Sequence, residues 1–401
     1  MKPGRTATAG ARPQLSRNVI VLSWVSFFQD AASEMLYPII PIFLTTVLGA
    51  SPAIVGVIEG FAEGTASLLK GYAGWLADRM ARRPLVIGGY ALSSVAKLLL
   101  AFASSWAFVL ACRVLDRAGK GVRGTPRDAL IVADTPPAAR GRAFGFHRAV
   151  DTAGAIVGPL VGLGLYELLA HNLRAIFFAS FVPAVVSVGL IGFVRESPRV
   201  AQGARVKVVA ERLSRRYWSA IALLSIFALA NFSDALIILR LKVVGFGVPA
   251  IMGAYALYNV SYAALSYPAG IVSDRVPRRL VFAAGIALFA VSYLAFGLVS
   301  TPSIFWGLML LYGAYMALTD GVGKAWVAEM APEARTGVGL GIYQATMGVG
   351  SVVAGAWAGL AWGASGSLPF VVAGLVAATV ATILALTPTR RDPSGTTGQA
   401  Q

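Results

Sequence analysis

Arg113, Asp116, Arg117, Lys120, Arg123 and Arg127 follow one another in a run whose flanks on both sides are apolar. At the helical period of about 100° per residue these six fall on an arc of about 120°. The rest of that helix surface is Val, Leu, Ala and Gly. Ionisable groups in such a setting do three kinds of work: they bind charged solutes, carry protons, or pair with one another to hold helices in register. Partners are within reach of the pattern. Asp30 and Glu34 are four residues apart, hence on one helical face, and Glu59, Glu63 and Lys70 share a face on the next apolar stretch. Lys97 adds a cation in the third.

Roles follow from depth. At about 1.5 Å of rise per residue, Glu34, Glu63, Asp116 and Arg117 come near the middle of a bilayer core. Asp30, Glu34, Glu59 and Glu63 are therefore candidate proton carriers, and Arg113 and Arg117 candidate ligands for an anionic solute. A wholly structural ion-pair network is the competing reading. Arg123, Arg127 and Asp128 lie nearer one surface, where a salt-bridge lattice that shuts one end of the bundle is expected. In the second half of the chain charges are few: Asp234, Asp320 and Lys324. There Tyr255, Tyr258, Asn259, Tyr262 and Ser266 fall within about 100° of one helical face. Asn231 and Gln344 are able to join them. This neutral wall reads either as internal packing or as one side of a substrate pocket, with Asn231, Asp234, Tyr258, Asn259, Tyr262 and Gln344 as its candidate contacts.

The elements that would position these groups are membrane helices. Of the 401 residues 57% are hydrophobic and only 13% charged, about half the charge of a soluble protein. Twelve spans of about 20 or more mostly apolar residues are expected: 18–46, 52–75, 84–104, 106–130, 144–169, 174–194, 217–243, 249–272, 279–299, 303–328, 337–361 and 367–387. Two of them, 106–130 and 303–328, carry charges inside the window. The net charge of +16 lies in short segments between alternate spans. That is an orientation signal rather than a nucleic-acid surface, and it places both termini in the cytoplasm. Residues 1–17 are expected to be a retained cytosolic tail, 195–216 a basic cytoplasmic linker between two six-helix bundles (18–194 and 217–387), and 388–401 a second tail. Cys112 is alone, so no internal disulfide forms. His147 and His171 are far apart and suggest no metal site, and no cofactor or nucleophile–base constellation is apparent. The expected partners are the lipid bilayer, a small-molecule substrate and protons, and the expected state is a monomer.

The two halves repeat each other. Gly74, Asp78, Arg79, Arg82 and Arg83 form G-x-x-x-D-R-x-x-R-R, and Gly270, Asp274, Arg275, Arg278 and Arg279 form it again 196 residues later. "VADTPPAAR" (132–140) and "VAEMAPEAR" (327–335) match at an offset of 195. Parallel repeats of this kind are a transporter architecture. These loops resemble the signature of the major facilitator superfamily between its second and third helices, and the weaker copy between the eighth and ninth. Arg113 stands where that family's fourth-helix arginine would be. "GAIVGPLVGL" (154–163) is similar to the fifth-helix motif of its antiporters, with Leu163 in place of the last glycine. "DRAGKGVRGTPRDAL" resembles a prokaryotic branch of the superfamily. The resemblance implies an all-α fold of twelve transmembrane helices in two pseudo-symmetric bundles, in the inner membrane of a prokaryote. It also implies secondary active transport by alternating access, and leans toward proton-coupled export. Import or facilitated passage of a small polar or anionic solute is the alternative, and a membrane sensor or scaffold without transport the more distant one. By the same resemblance Gly74, Asp78, Arg79, Arg82, Arg83, Asp274 and Arg275 join Arg123, Arg127 and Asp128 as a cytoplasmic gate.

Overall fold

A computed structural model describes residues 15–77, 79–136, 139–196, 213–332 and 335–387. Asp78, most of the 195–216 linker and both tails beyond these bounds lie outside the described residues. In chain order the helices are α1 (Arg17–Leu36), α2 (Ile40–Thr46), α3 (Pro52–Ala77), α4 (Arg82–Leu100), α5 (Trp106–Ala133), α6 (Arg140–Leu168), α7 (Leu173–Leu190), α8 (Arg215–Ala230), α9 (Asp234–Val243), α10 (Val248–Arg275), α11 (Arg278–Leu298), α12 (Pro302–Met330), α13 (Thr336–Leu360) and α14 (Ser367–Leu386). No strand occurs among the described residues.

Among the described residues, fourteen α-helices make twelve spans because two spans are broken. The first divides into α1 and α2 at residues 37–39, where Pro38 and Pro41 remove two backbone donors. The seventh divides into α8 and α9 at 231–233, an Asn-Phe-Ser segment with no proline. Its second part restarts because Ser233 caps α9, accepting from the Ala235 N–H. The two breaks meet: the Tyr37 and Ser233 hydroxyls are 3.0 Å apart, in residues 196 positions apart in the chain. The internal repeat thus reappears as a contact between equivalent interruptions in the two bundles.

Ten of the spans are apolar enough to cross a membrane by length and composition. The fourth, α5, is excluded by its charges, as its sequence predicts. The other exclusion is α10, whose tyrosines, Asn259 and serines lower its apolarity, whereas α12 qualifies despite Asp320 and Lys324. The charges expected inside 303–328 are present but too few to disqualify that span.

One face of the bundle carries Arg82, Arg140, Arg215 and Arg278 at helix starts, and is here called the basic face. At the opposite face the halves are sealed along α3 and α13. Gly56 lies against the Gly355 backbone, Gly60 against Ser351 and Val352, and Gly359 against Pro52 and Ala53. A Cβ at any of these glycines would strike the facing backbone, so the close approach requires glycine. Towards the basic face the same two helices part. Gly154 and Gly158 of α6 rest on the backbone of α1 at Phe27 and Ala31, the tight helix contact their spacing predicts.

Candidate functional site

The charged stripe of α5 fans out over three neighbours. Arg113 reaches α3, where its Nε and Nη2 donate to the two carboxylate oxygens of Glu59 at 2.8 and 2.6 Å. Asp116 turns to α4 and accepts from Lys97 Nζ at 2.7 Å. Arg117 returns to α3 and pairs with Glu63 at 2.9 Å. Nearly two turns lower, Arg123 donates to Ser93 Oγ at 2.8 Å and lies over the Tyr90 ring at 4.4 Å. Arg127 donates to Asp128 and, at 2.9 Å, to Ser26 of α1. An arc of about 120° spans the directions of several packed helices, so one stripe serves as a hub for the first bundle.

Burial separates these groups. The Glu59 side chain is 2% exposed and that of Arg113 6%, whereas the Glu63 side chain is 40% exposed. Glu59, Arg113, Asp116 and Lys97 therefore form a sealed, mutually neutralised cluster. Glu63 lies at the edge of this cluster and is not sealed. Above the cluster lies Tyr37, with the Arg113 and Arg117 guanidinium carbons 5.7 and 5.9 Å from its ring centroid.

The second half contributes an aromatic layer. Tyr255 stacks on Tyr37 at 5.3 Å and donates to Glu34 at 2.6 Å, a contact between bundles. Tyr312 donates to Asp234 at 2.6 Å, and Tyr258 packs between Tyr255, Tyr262 and Tyr312. Asn259 is buried and donates to its own helix at Tyr255 O. Asn231 ends α8 at the break in the seventh span.

Towards the basic face the halves enclose a cavity of about 680 Å³. Asp30, Lys70, Lys120, Arg123, Arg127 and Asp128 line it from the first bundle, with Arg148 and Asp151 of α6. Lys324 and Gln344 line it from the second. A neighbouring recess of about 480 Å³ shares Arg148 and Lys324 and adds Tyr262, Asp274 and Asp320. Of the sequence candidates, Asp30, Gln344, Arg123, Arg127 and Asp128 thus border the large cavity, and Tyr262 the recess. Arg113, Arg117, Glu59, Tyr258, Asn259 and Asp234 lie in the packed layer beyond it.

Two residues that the sequence reading passed over are central. Arg148 donates to Tyr262 at 2.7 Å, lies 3.4 Å from Asp151, and reaches across the bundle interface to Asp320 at 3.6 Å. Asp320 also pairs with Lys324 and accepts from Tyr262. Asp151 lies beside Asp30, close enough for their carboxyl groups to interact directly, and both line the cavity. The signal was present: Arg148 and Asp151 are two charges at i, i+3 inside an apolar span, a pattern obscured by the glycines beside it.

The described members of the expected gate outside the cavity lie at or beside helix ends on the basic face. The Arg82 and Arg83 N–H groups donate to the Glu196 carboxylate at 3.0 and 2.9 Å, which fixes the start of α4. Gly74 is in the last turns of α3, and Arg79 follows that helix. Asp274 lies 3.7 Å from Arg278 within the second bundle, next to Arg275. Asp78 is outside the described residues.

The arrangement is a polar compartment between two six-helix bundles, sealed at one face. Known proteins share its fold and family. A model of the Major Facilitator Superfamily matches residues 22–261 and 221–401. The uncharacterized MFS-type transporter MJ1317 of Methanocaldococcus jannaschii is 33% identical over 372 residues, 91% of this chain and 93% of that protein. Multidrug resistance protein MdtH of Photorhabdus laumondii is 26% identical over 294 residues, 69% of this chain and 70% of that one. Among solved structures, a bacterial homolog of the human lysosomal transporter Spinster, in an inward-facing and occupied conformation, superimposes with a TM-score of 0.77. It has 16% identity and covers 96% of this chain and 100% of that one. The nucleoside transporter NupG gives 0.76 at 12% identity, covering 92% and 98%. The internal repeat, the paired helix breaks and these likenesses have one reading: the chain is a multi-pass membrane transporter that belongs to the Major Facilitator Superfamily.

Proposed function

We propose that the protein is a secondary active transporter that exports a small molecule in exchange for protons, by alternating access. The observation that carries this reading is the partition of its carboxylates. Glu59, Glu63, Asp116 and Asp320 are held in ion pairs. Asp30, Glu34 and Asp234 make no ion pair among the described residues, and Glu34 and Asp234 each accept from a tyrosine instead. A carboxylate fixed to a cation keeps its charge as a structural element. One beside a wet cavity and without a fixed cation is free to gain and lose a proton as the cavity changes sides.

Asp30, which borders the cavity, is the first proton carrier, and Glu34 the second, with Glu63 as the exposed member of an ion pair behind them. In this reading the basic face is cytoplasmic, by the bias of Arg and Lys towards that side, and the cavity is open to the cytoplasm, where an exporter loads. The names of the MdtH relatives support export.

The test uses proteoliposomes loaded with a pH-sensitive dye and a chemically diverse solute panel. A transported solute is expected to draw protons across the membrane, and Asp30→Asn to abolish that movement while solute still binds. Full proton movement in Asp30→Asn and Glu34→Gln alike contradicts the assignment.

A further inference from the structure

The composition of the cavity wall bears on its cargo. Six basic side chains and three acidic ones line it. Arg127 is satisfied by Asp128, and Arg148 by Asp151 and Asp320. Arg123 is turned to Ser93 and Tyr90. That leaves Lys70 of α3 and Lys120 of α5 without an ion pair among the described residues, with Lys324 facing them from the second bundle. The carboxylates within electrostatic reach of Lys70 are Glu63 and Asp320. Both are already engaged, Glu63 by Arg117 and Asp320 by Lys324 and Arg148. Lys120 is in reach of Asp30, Glu34 and Glu63, at longer than salt-bridge distance.

Two ammonium groups unpaired among the described residues, Lys70 and Lys120, therefore line one wet space together with Lys324, whose ammonium Asp320 holds at 2.5 Å. Like charges gathered at a bundle interface cost stability, and nothing in the packing requires them there, since Lys70 and Lys120 reach into the cavity rather than into a helix contact. The charge is complementary to an anion. Ser67 and Gln344 border the same space and supply neutral hydrogen-bond groups from α3 and α13. The ligand groups thus come from both bundles, the arrangement in which a bound solute senses their relative movement.

We propose that Lys70, Lys120 and Lys324 form the recognition site for an organic anion carrying a phosphate or a pair of carboxylates, and that this is the cargo class of the transporter. The inference rests on the cavity being the cargo compartment.

The test is equilibrium binding by the full-length protein in detergent, read from the thermal unfolding midpoint at constant ionic strength. The probes are pyrophosphate, citrate, dihexanoyl phosphatidylglycerol and the cation tetraphenylphosphonium. At least one anion is expected to raise the midpoint in a saturable way, and the cation not to. Lys70→Gln with Lys120→Gln is expected to weaken that anion at least tenfold, while Lys70→Arg with Lys120→Arg stays within about threefold of the parent. Lys242→Gln, at the opposite face, leaves it unchanged. If the double glutamine variant does not survive purification, Lys70→Gln alone is read the same way. Tightest binding by the phosphatidylglycerol assigns the anion to a lipid headgroup, and by pyrophosphate or citrate to a free solute. No response to any anion, a preference for the cation, or equal affinity in the glutamine variant overturns the proposal. Proton movement with a neutral or cationic solute in the liposome assay would then leave the transporter reading standing without it.

Discussion

At the scale of single residues, the sealed cluster and the open wall obey different energetics. Glu59 and Arg113 form a bidentate pair out of water, so removal of one partner strands the other charge. That costs about 3–5 kcal/mol, whereas replacing both with apolar residues of similar volume is close to neutral. Glu59→Gln is therefore expected to lower the unfolding midpoint markedly, and Glu59→Leu with Arg113→Met to recover most of it. Glu63→Gln should cost less, because Glu63 is 40% exposed and its ion pair is already partly screened by water, although Arg117 is as buried as Arg113. Equal losses for Glu59→Gln and Glu63→Gln in a thermal unfolding series would contradict this division. The sequence made the members of the network legible, through charges at helical spacing within apolar windows. It did not assign Arg113 to Glu59 or Asp116 to Lys97, because an arc of about 120° faces more than one neighbouring helix and only packing chooses between them. Tyr37, which bridges the network and the aromatic layer, stood beside Pro38 as an ordinary aromatic residue.

At the scale of elements, the closed face depends on backbone approach along α3 and α13. Gly56 and Gly355 meet main chain to main chain, so Gly355→Val is expected to force the two helices apart at that end without disturbing either bundle internally. The consequence is read in hydrogen exchange: amides of α2 and α9, which lie at the same end, should exchange faster in the variant, while those of α4 and α7 keep their parent rates. Unchanged exchange in α2 and α9 would show that the glycine seam does not hold that face. The twelve spans and the repeat were readable from apolar length and from the G-x-x-x-D-R-x-x-R-R loops. The break at 37–39 had a signal in Pro38 and Pro41. Its counterpart at 231–233 had none of that kind, because Asn231, Phe232 and Ser233 are each compatible with a continuous helix. It forms where the Ser233 side chain caps a new helix and Tyr37 meets its hydroxyl.

At the scale of the whole molecule, two bundles touch through a glycine seam at one face and through Arg148, Tyr262 and Asp320 nearer the other. The cavity between them belongs to neither half alone. Its charged lining explains why the chain holds ionisable groups in spans that a purely structural bundle would fill with apolar residues. If the halves rock about this interface, a change that closes the basic face must open the opposite one. The most direct measurement is a pair of spin-label distances in lipid nanodiscs, one between Met80→Cys and Val276→Cys at the basic face, the other between Val47→Cys and Val243→Cys at the opposite face. All four positions are exposed, and each pair spans the two bundles. Across a pH series the account predicts opposite changes: a population with a shorter basic-face distance appears together with one whose distance at the opposite face is longer. Distances that stay fixed, or that lengthen and shorten together, would contradict alternating access.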